Sequence, residues 1–180
     1  MLRSALWLMV SSLVAGAAPD VVRLEAESGT GLSAQAQVVA QETASGQSCL
    51  RLGSKETRND HPQDRPADAT FVARVPWRGA TVAWGRLLAR SGGSDSLYVA
   101  DSEGRFQTLS LATSDAWQWV ALQRLRPAED GTVTLRLQYR ETSVLLDEVA
   151  VVAVEGVAAV AGGDDDPALV DRRHVDRQAI

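Results

Sequence analysis

The sequence predicts an all-β sandwich or jelly roll, and three observations carry that prediction. The run from Thr132 alternates without a fault, with Val133, Leu135, Leu137 and Tyr139 on one side and Thr132, Thr134, Arg136 and Gln138 on the other. A period of two marks a half-buried antiparallel strand. Short runs of the same kind recur along the chain, separated by Gly, Pro, Ser and Asp clusters, which is the spacing of a sandwich or barrel. No stretch of the mature chain carries a convincing amphipathic helical pattern.

At 180 residues the chain suits one well-buried domain and is short for two. Residues 1–18 differ from the rest. Arg3 precedes an apolar run from Ala5 to Val14, and Ala15-Gly16-Ala17-Ala18 supplies small residues of the cleavage-site type. This predicts a secretory signal peptide and a secreted or periplasmic address. The run is far short of the roughly 20 apolar residues that span a bilayer, so no membrane span is expected. No Cys follows the cleavage region, which argues against a bacterial lipid anchor. The net charge of -5 and pI near 5.0 argue against a nucleic-acid binder. Cys49 is the single cysteine, so no intrachain disulfide is available, and its strand-like surroundings predict a buried, inert thiol.

In the mature chain, Val21 to Glu27 alternates, with Arg23, Glu25 and Glu27 on one face of a first strand. Gln37–Gln41 and Cys49–Gly53 are the next strands, and Lys55–Asp68, charged and broken by Pro62 and Pro66, is a long surface loop. Strands follow at Thr70–Pro76, Thr81–Ala89, Ser96–Asp101, Arg105–Leu109 and Gln118–Leu122. The chain then forms a hairpin: Arg140-Glu141-Thr142-Ser143 turns the Thr132 strand into a second, more apolar one, Val144–Val152, buried on both faces. That last strand contains Asp147 and Glu148, which burial does not tolerate without a partner. The domain is thus bounded at 19–152, and 153–180 is a linker and tail in which Asp166 and Pro167 could start a short helix. A disordered end or a docking segment for a protein partner are both open.

The residues 21–152 resemble the secreted, non-catalytic carbohydrate-binding modules of families 6 and 35, which have a galactose-binding-like jelly roll. The likeness rests on Leu24-Glu25-Ala26-Glu27 at the start, on WGRLLARSGGSDSLYVAD from Trp84 to Asp101, and on Trp117-Gln118-Trp119 followed by LQYRETSVLLDEVAV. The resemblance implies a lectin-like carbohydrate partner and a structural Ca²⁺ held by Glu25, Glu27 and Asp147. Hard carboxylate oxygens suit that ion. The plain alternative is that the acids are surface groups, or that Asp147 pairs with an arginine such as Arg51 or Arg140. Where many family 6 modules carry a sugar-bonding asparagine, two residues before the aspartate, this chain has Leu145.

A sugar needs an aromatic surface for its C–H face and planar polar groups for its hydroxyls. Trp117 and Trp119 share one strand face and form an outward platform if Val120 and Leu122 fill the core; otherwise they cover the core edge. Trp84 reads first as a core residue and Trp77 as a loop plug, while Arg86 suggests a ligand surface or a cation–π contact. Asp95 and Ser96 end a Gly-rich loop of the kind that carries binding residues. The candidate ligand set is therefore Trp117, Trp119, Trp84, Arg86, Asp95 and Ser96. No GxSxG, HExxH or phosphate loop appears, and the two histidines, His61 and His174, lie in a charged loop and the tail. An enzyme is not expected. The rival reading is a structural or envelope-assembly protein that uses the same sandwich for protein contact.

Overall fold

The computed structural model describes residues 21–53, 58–101 and 103–154. The expected signal peptide, and all of the tail beyond Val154, lie outside the described residues. Within them the chain forms β1 (Val21–Glu25), β2 (Ala36–Ala40), β3 (Ser48–Leu52), β4 (Ala69–Arg74), β5 (Thr81–Leu88), β6 (Ser96–Ala100), β7 (Phe106–Ser110), β8 (Gln118–Leu125), β9 (Thr132–Tyr139) and β10 (Val144–Ala153). Each lies where the alternation or apolar run predicts a strand. The only helical pieces among the described residues are three short 3-10 turns.

The strands make two antiparallel sheets. One has six strands in the order β2-β3-β10-β5-β8, with β1 also paired to β10; the other has four in the order β4-β9-β6-β7. The core fills the space between them. Leu50, Leu52, Leu87, Leu146, Val149 and Val151 from the large sheet meet Phe71, Leu97, Val99, Leu135 and Leu137 from the small one. The strands supply alternate residues to this layer, as face-to-face packing of two pleated sheets requires, and β10 breaks the alternation between Leu146 and Val149, where its register shifts.

The expected hairpin at Arg140–Ser143 is corrected. β9 pairs with β4 and β6 in the small sheet, whereas β10 pairs with β1, β3 and β5 in the large one. The four-residue link therefore arches from one sheet to the other. Both strands point apolar residues into the same core, so facing each other across it buries more than pairing edge to edge. Ser143 adopts φ 67° in the arch, and its N–H donates to the carbonyl of Gly53 at 3.1 Å. Burial of β10 on both faces is as expected: Leu146 and Val149 enter the main core, while Ala150 and Val152 enter a second cluster on the sheet's other side.

Two further differences bear on function. β1 stops at Glu25, and Ala26–Ser28 turns as a 3-10 helix, so Glu27 does not share a strand face with Glu25. The cause is a shared edge: β10 gives Glu148–Val152 to β1 and Val144–Leu146 to β3, so β1 must leave where β3 begins. The charged loop before β4 also does more than cross the surface. Gln138 sits on the outward side of β9 yet is 0 % exposed. Its amide accepts from Asn59 at 2.8 Å and donates to the carbonyls of Pro62, Arg65 and Pro66 at 3.3, 3.1 and 2.8 Å. The Tyr98 hydroxyl donates to the Asn59 carbonyl at 2.8 Å. This segment is strapped over the outer side of the small sheet.

Gly53 tests the arch. Its φ is +82°, and a Cβ there would lie 2.4 Å from the carbonyl oxygen of Glu141. Gly31 has φ +62° but nothing within 4 Å of that position. Gly31→Ala is expected to cost about 1 kcal/mol from backbone conformation alone, and Gly53→Ala about 2–4 kcal/mol, because a backbone clash adds to the strain. Urea unfolding of the two variants, compared at constant slope, checks the difference.

Candidate functional site: a tryptophan face joined to an acid cluster

On the large sheet, Val120 and Leu122 of β8 pack into the core. Alternation then turns Trp119 outward, and Trp117, just before the strand, lies on the same side. Both are partly exposed. The outward platform is therefore present, but it is not bare. The Arg86 guanidinium lies over the Trp117 ring at 5.4 Å from its centroid, and that of Arg23 lies over Trp119 at 5.3 Å. The indole N–H of Trp117 donates to the Thr43 hydroxyl at 3.0 Å, which fixes the ring's rotation.

Register explains why these residues meet. Glu25, Glu148, Arg86 and Trp119 are direct neighbours across β1, β10, β5 and β8. The carboxylate of Glu148 takes Arg23 at 3.2 Å. Asp147 occupies an irregularity, since the β10–β5 register shifts between Leu146 and Glu148 and neither β1 nor β3 pairs with Asp147. Its side chain is 0 % exposed and is met by the Arg86 guanidinium on Oδ2 and the backbone N–H of Ser45, at 2.8 Å, on Oδ1. Burial pushes the Asp147 carboxyl above the ordinary carboxylate range, an effect the Arg86 contact only partly offsets. Of the partners considered from sequence, neither is used: Arg51 bonds Gln37, and Arg140 bonds Ser96 and Glu141.

The three acids named as metal ligands gather round the 45–48 turn. The hydroxyl of Ser45 donates to Glu25 Oε1 at 3.1 Å and that of Ser48 to Glu27 Oε1 at 2.6 Å. Glu27 Oε2 is buried without a hydrogen-bond partner, the kind of orphaned acceptor that a cation would complete. Against this, among the described residues no three His, Cys, Asp or Glu side chains are placed to hold a metal as they stand. Cys49 next to the turn is buried as expected. Burial first, then the Asp147 and Glu27 carboxylates, push its thiol up to about 11, so it stays protonated.

The remaining candidates separate from this face. Trp84 is 2 % exposed, packed with Val82, Ala150 and Val152 and against Trp119. Its first reading as a core residue holds, and its place in the ligand set is corrected, because a buried indole offers a sugar no surface. Ser96 is likewise corrected. It is 1 % exposed, its hydroxyl donates to Glu141 Oε2 at 2.6 Å, and it accepts from Arg140 at 2.6 Å. Asp95 is half-buried in this second, loop-end cluster, where Glu141 rather than a tryptophan is central. Trp77 plugs a turn, with its N–H on the Thr81 hydroxyl at 3.0 Å. Sequence reasoning flagged Glu148 only as an acid in need of a partner and missed Arg23, Thr43 and Ser45. Glu148 stands in register with Glu25 and Arg86 and could have been placed here from strand pairing. Arg23 pairs with Ala150 and reaches Glu148 and Trp119 off register, and nothing in the 41–48 loop signals its role.

No family model and no curated protein matches the chain. Solved structures do. The chain is 18 % identical to the Podospora anserina GH26-CBM35 β-(1,4)-mannanase, with a TM-score of 0.54 over 73 % of this chain and 27 % of that one. It is 11 % identical to the carbohydrate binding module of Cellvibrio mixtus lichenase 5A, solved with cellotriose, with a TM-score of 0.50 over 74 % of this chain and 97 % of that one. A family 35 module from Clostridium thermocellum gives 14 %, 0.50, 73 % and 98 % on the same measures. The chain thus spans about a quarter of the mannanase but nearly all of each isolated module. The fold is the jelly roll of family 6 and 35 carbohydrate-binding modules, as the sequence resemblance implied.

Glu141 gives the loop-end cluster a pH signature. Burial raises its carboxyl, but the Ser96 hydroxyl, Asp95 and the Arg140 guanidinium outweigh that and hold it below the ordinary glutamate range. A depressed carboxyl stabilises the fold above its unfolded pKa, and that contribution is lost as pH falls through the folded value. Glu141→Gln is expected to cost about 1–2 kcal/mol at neutral pH, with the gap to the unsubstituted protein closing on acidification. Urea unfolding across an acid pH series checks it; a gap independent of pH contradicts the assignment.

Proposed function

We propose that this protein is a secreted or periplasmic, non-catalytic carbohydrate-binding module that holds a poly- or oligosaccharide against Trp117 and Trp119. The observation that carries the reading is the outward placement of both indoles on the large sheet. The fold adds support, since similar modules include one solved with cellotriose. The small sheet's outer side is strapped by the loop held on Gln138, which leaves the large sheet as the broader candidate surface. Each indole offers a sugar's C–H face an apolar plane, and the Arg23 guanidinium beside Trp119 carries N–H donors for its hydroxyls. Among the described residues no helix is long and apolar enough to cross a membrane, which is compatible with an exported domain.

Calcium belongs to the same reading. Glu25, Glu27 and Asp147 would supply hard oxygen donors, and the ion would stabilise the junction of β1, β3 and β10. Support comes from the orphaned Glu27 Oε2, a buried acceptor without a donor.

Two experiments test these statements. A glycan array followed by calorimetry is expected to give saturable millimolar-to-micromolar binding, weakened at least tenfold in Trp117→Ala or Trp119→Ala. No sugar response from the intact protein, with a protein partner captured through 153–180, would instead support the assembly reading. For calcium, elemental analysis of purified protein should find bound metal, and EGTA should lower the melting temperature by about 5–10 °C. In Glu27→Gln the effect of EGTA should largely vanish. An unchanged melting temperature with no metal found leaves Arg86 as the sole counter-ion of Asp147.

A further inference from the structure

Two acid–arginine–tryptophan relays run across the large sheet. Asp147 holds Arg86, which covers Trp117; Glu148 holds Arg23, which covers Trp119. The two acids are consecutive on β10, and the arginines come from the strands on either side of it, β5 and β1. The first relay is closed into a ring. Trp117 is tied by its N–H to Thr43, and two residues further along the same loop the backbone N–H of Ser45 binds Asp147.

We propose that Arg86 is a positioning residue, through which the acid cluster at Asp147 sets the pose of Trp117 and hence the strength of sugar binding. This rests on the carbohydrate reading for its biological meaning, but its structural content does not need a sugar. A guanidinium is planar: it can bond a carboxylate in its plane while one face lies on an indole. The side chain of Arg86 is only 28 % exposed and Asp147 is 0 % exposed, so the carboxylate has little choice of counter-ion and the guanidinium little freedom to leave the ring. A change of charge at Asp147 therefore moves Arg86, and moving Arg86 frees one face of Trp117. The coupling is reciprocal, as any linkage between two sites must be. A ligand on Trp117 that favours the covered ring also favours Arg86 on Asp147. A cation arriving at the acid cluster competes with Arg86 for the same carboxylate.

The test is spectroscopic first and uses the full chain. Arg86→Lys keeps the positive charge near Asp147 but loses the plane that stacks; Asp147→Asn keeps an acceptor for Ser45 and loses the charge that holds Arg86. Both are expected to alter the near-ultraviolet circular dichroism of the indoles, although Asp147 is not one of the groups stacked on a ring. The alteration should be absent when Trp117 is already Phe. Affinity for a glycan found on the array should fall about fivefold in both variants, the scale of one partly buried cation–π contact. Variants that are less stable to urea but keep the parent spectrum and affinity overturn the proposal, making Arg86 a structural counter-ion only. If the parent protein binds no glycan, the carbohydrate reading fails by itself, and the spectra still decide whether Asp147 governs Trp117.

Discussion

A buried carboxylate in the middle of a strand covered on both faces is the constraint round which this molecule is arranged. Unpaired, Asp147 would cost several kcal/mol in β10. It is accommodated because β10 has a gap in its pairing there, between the end of β1 and the start of β3, and a register shift against β5. The gap admits a backbone N–H from the 45–48 turn on one side and a guanidinium from β5 on the other. The ending of β1 at Glu25, the turn that follows it and the entry of β3 all converge on this one group. Glu25 and Glu27 sit nearby for the same topological reason.

That arrangement explains which parts of the protein were legible in the sequence. Strand positions were, because period-two alternation and turn residues are local signals. Sheet membership was not. A strand, four polar residues and another strand describe a hairpin and an inter-sheet arch equally well, and only the competition of β4 and β6 for β9 decides between them. The strap before β4 was illegible for a related reason. Its charge and prolines mark a loop, but one glutamine on the outward side of β9 decides that the loop lies down, by taking three of its carbonyls.

The site shows the same division. The sequence left Trp117 and Trp119 open between an outward platform and a cover for the core edge, and Val120 and Leu122 in the core turn them outward; for Arg86 it offered a ligand surface or a cation–π contact, and the guanidinium lies over the Trp117 ring. Trp84, read first as a core residue, is one, and only its inclusion in the ligand set fails; Ser96 was misplaced outright. Trp84 is on the outward side, yet a second apolar cluster encloses it, and alternation alone cannot reveal a second layer. Ser96 ends a glycine-rich loop, yet its hydroxyl is consumed by Glu141, a residue 45 positions later. A ligand site at this loop end would need free polar groups. Instead Ser96, Arg140 and Glu141 satisfy one another.

The two outer surfaces of the sandwich are thus unequal, and the inequality bears on recognition. The small sheet spends its outward Gln138 and Tyr98 on holding the strap, so those groups are committed before any ligand arrives. On the large sheet each outward indole has one face against a guanidinium, and the Trp117 N–H is already bonded. A ring held from its edge and from one face cannot rotate freely, so the sugar proposed to dock there would not have to order it first. Ordering an interfacial side chain costs about 0.5–1.5 kcal/mol, and a small, shallow site has little binding energy from which to recover that cost. The arginines therefore narrow the surface open to a ligand while raising the return on what remains. For the sugar site proposed on this face the trade has a structural origin: the arginines over both rings are held by an acid pair that the fold had to neutralise in any case.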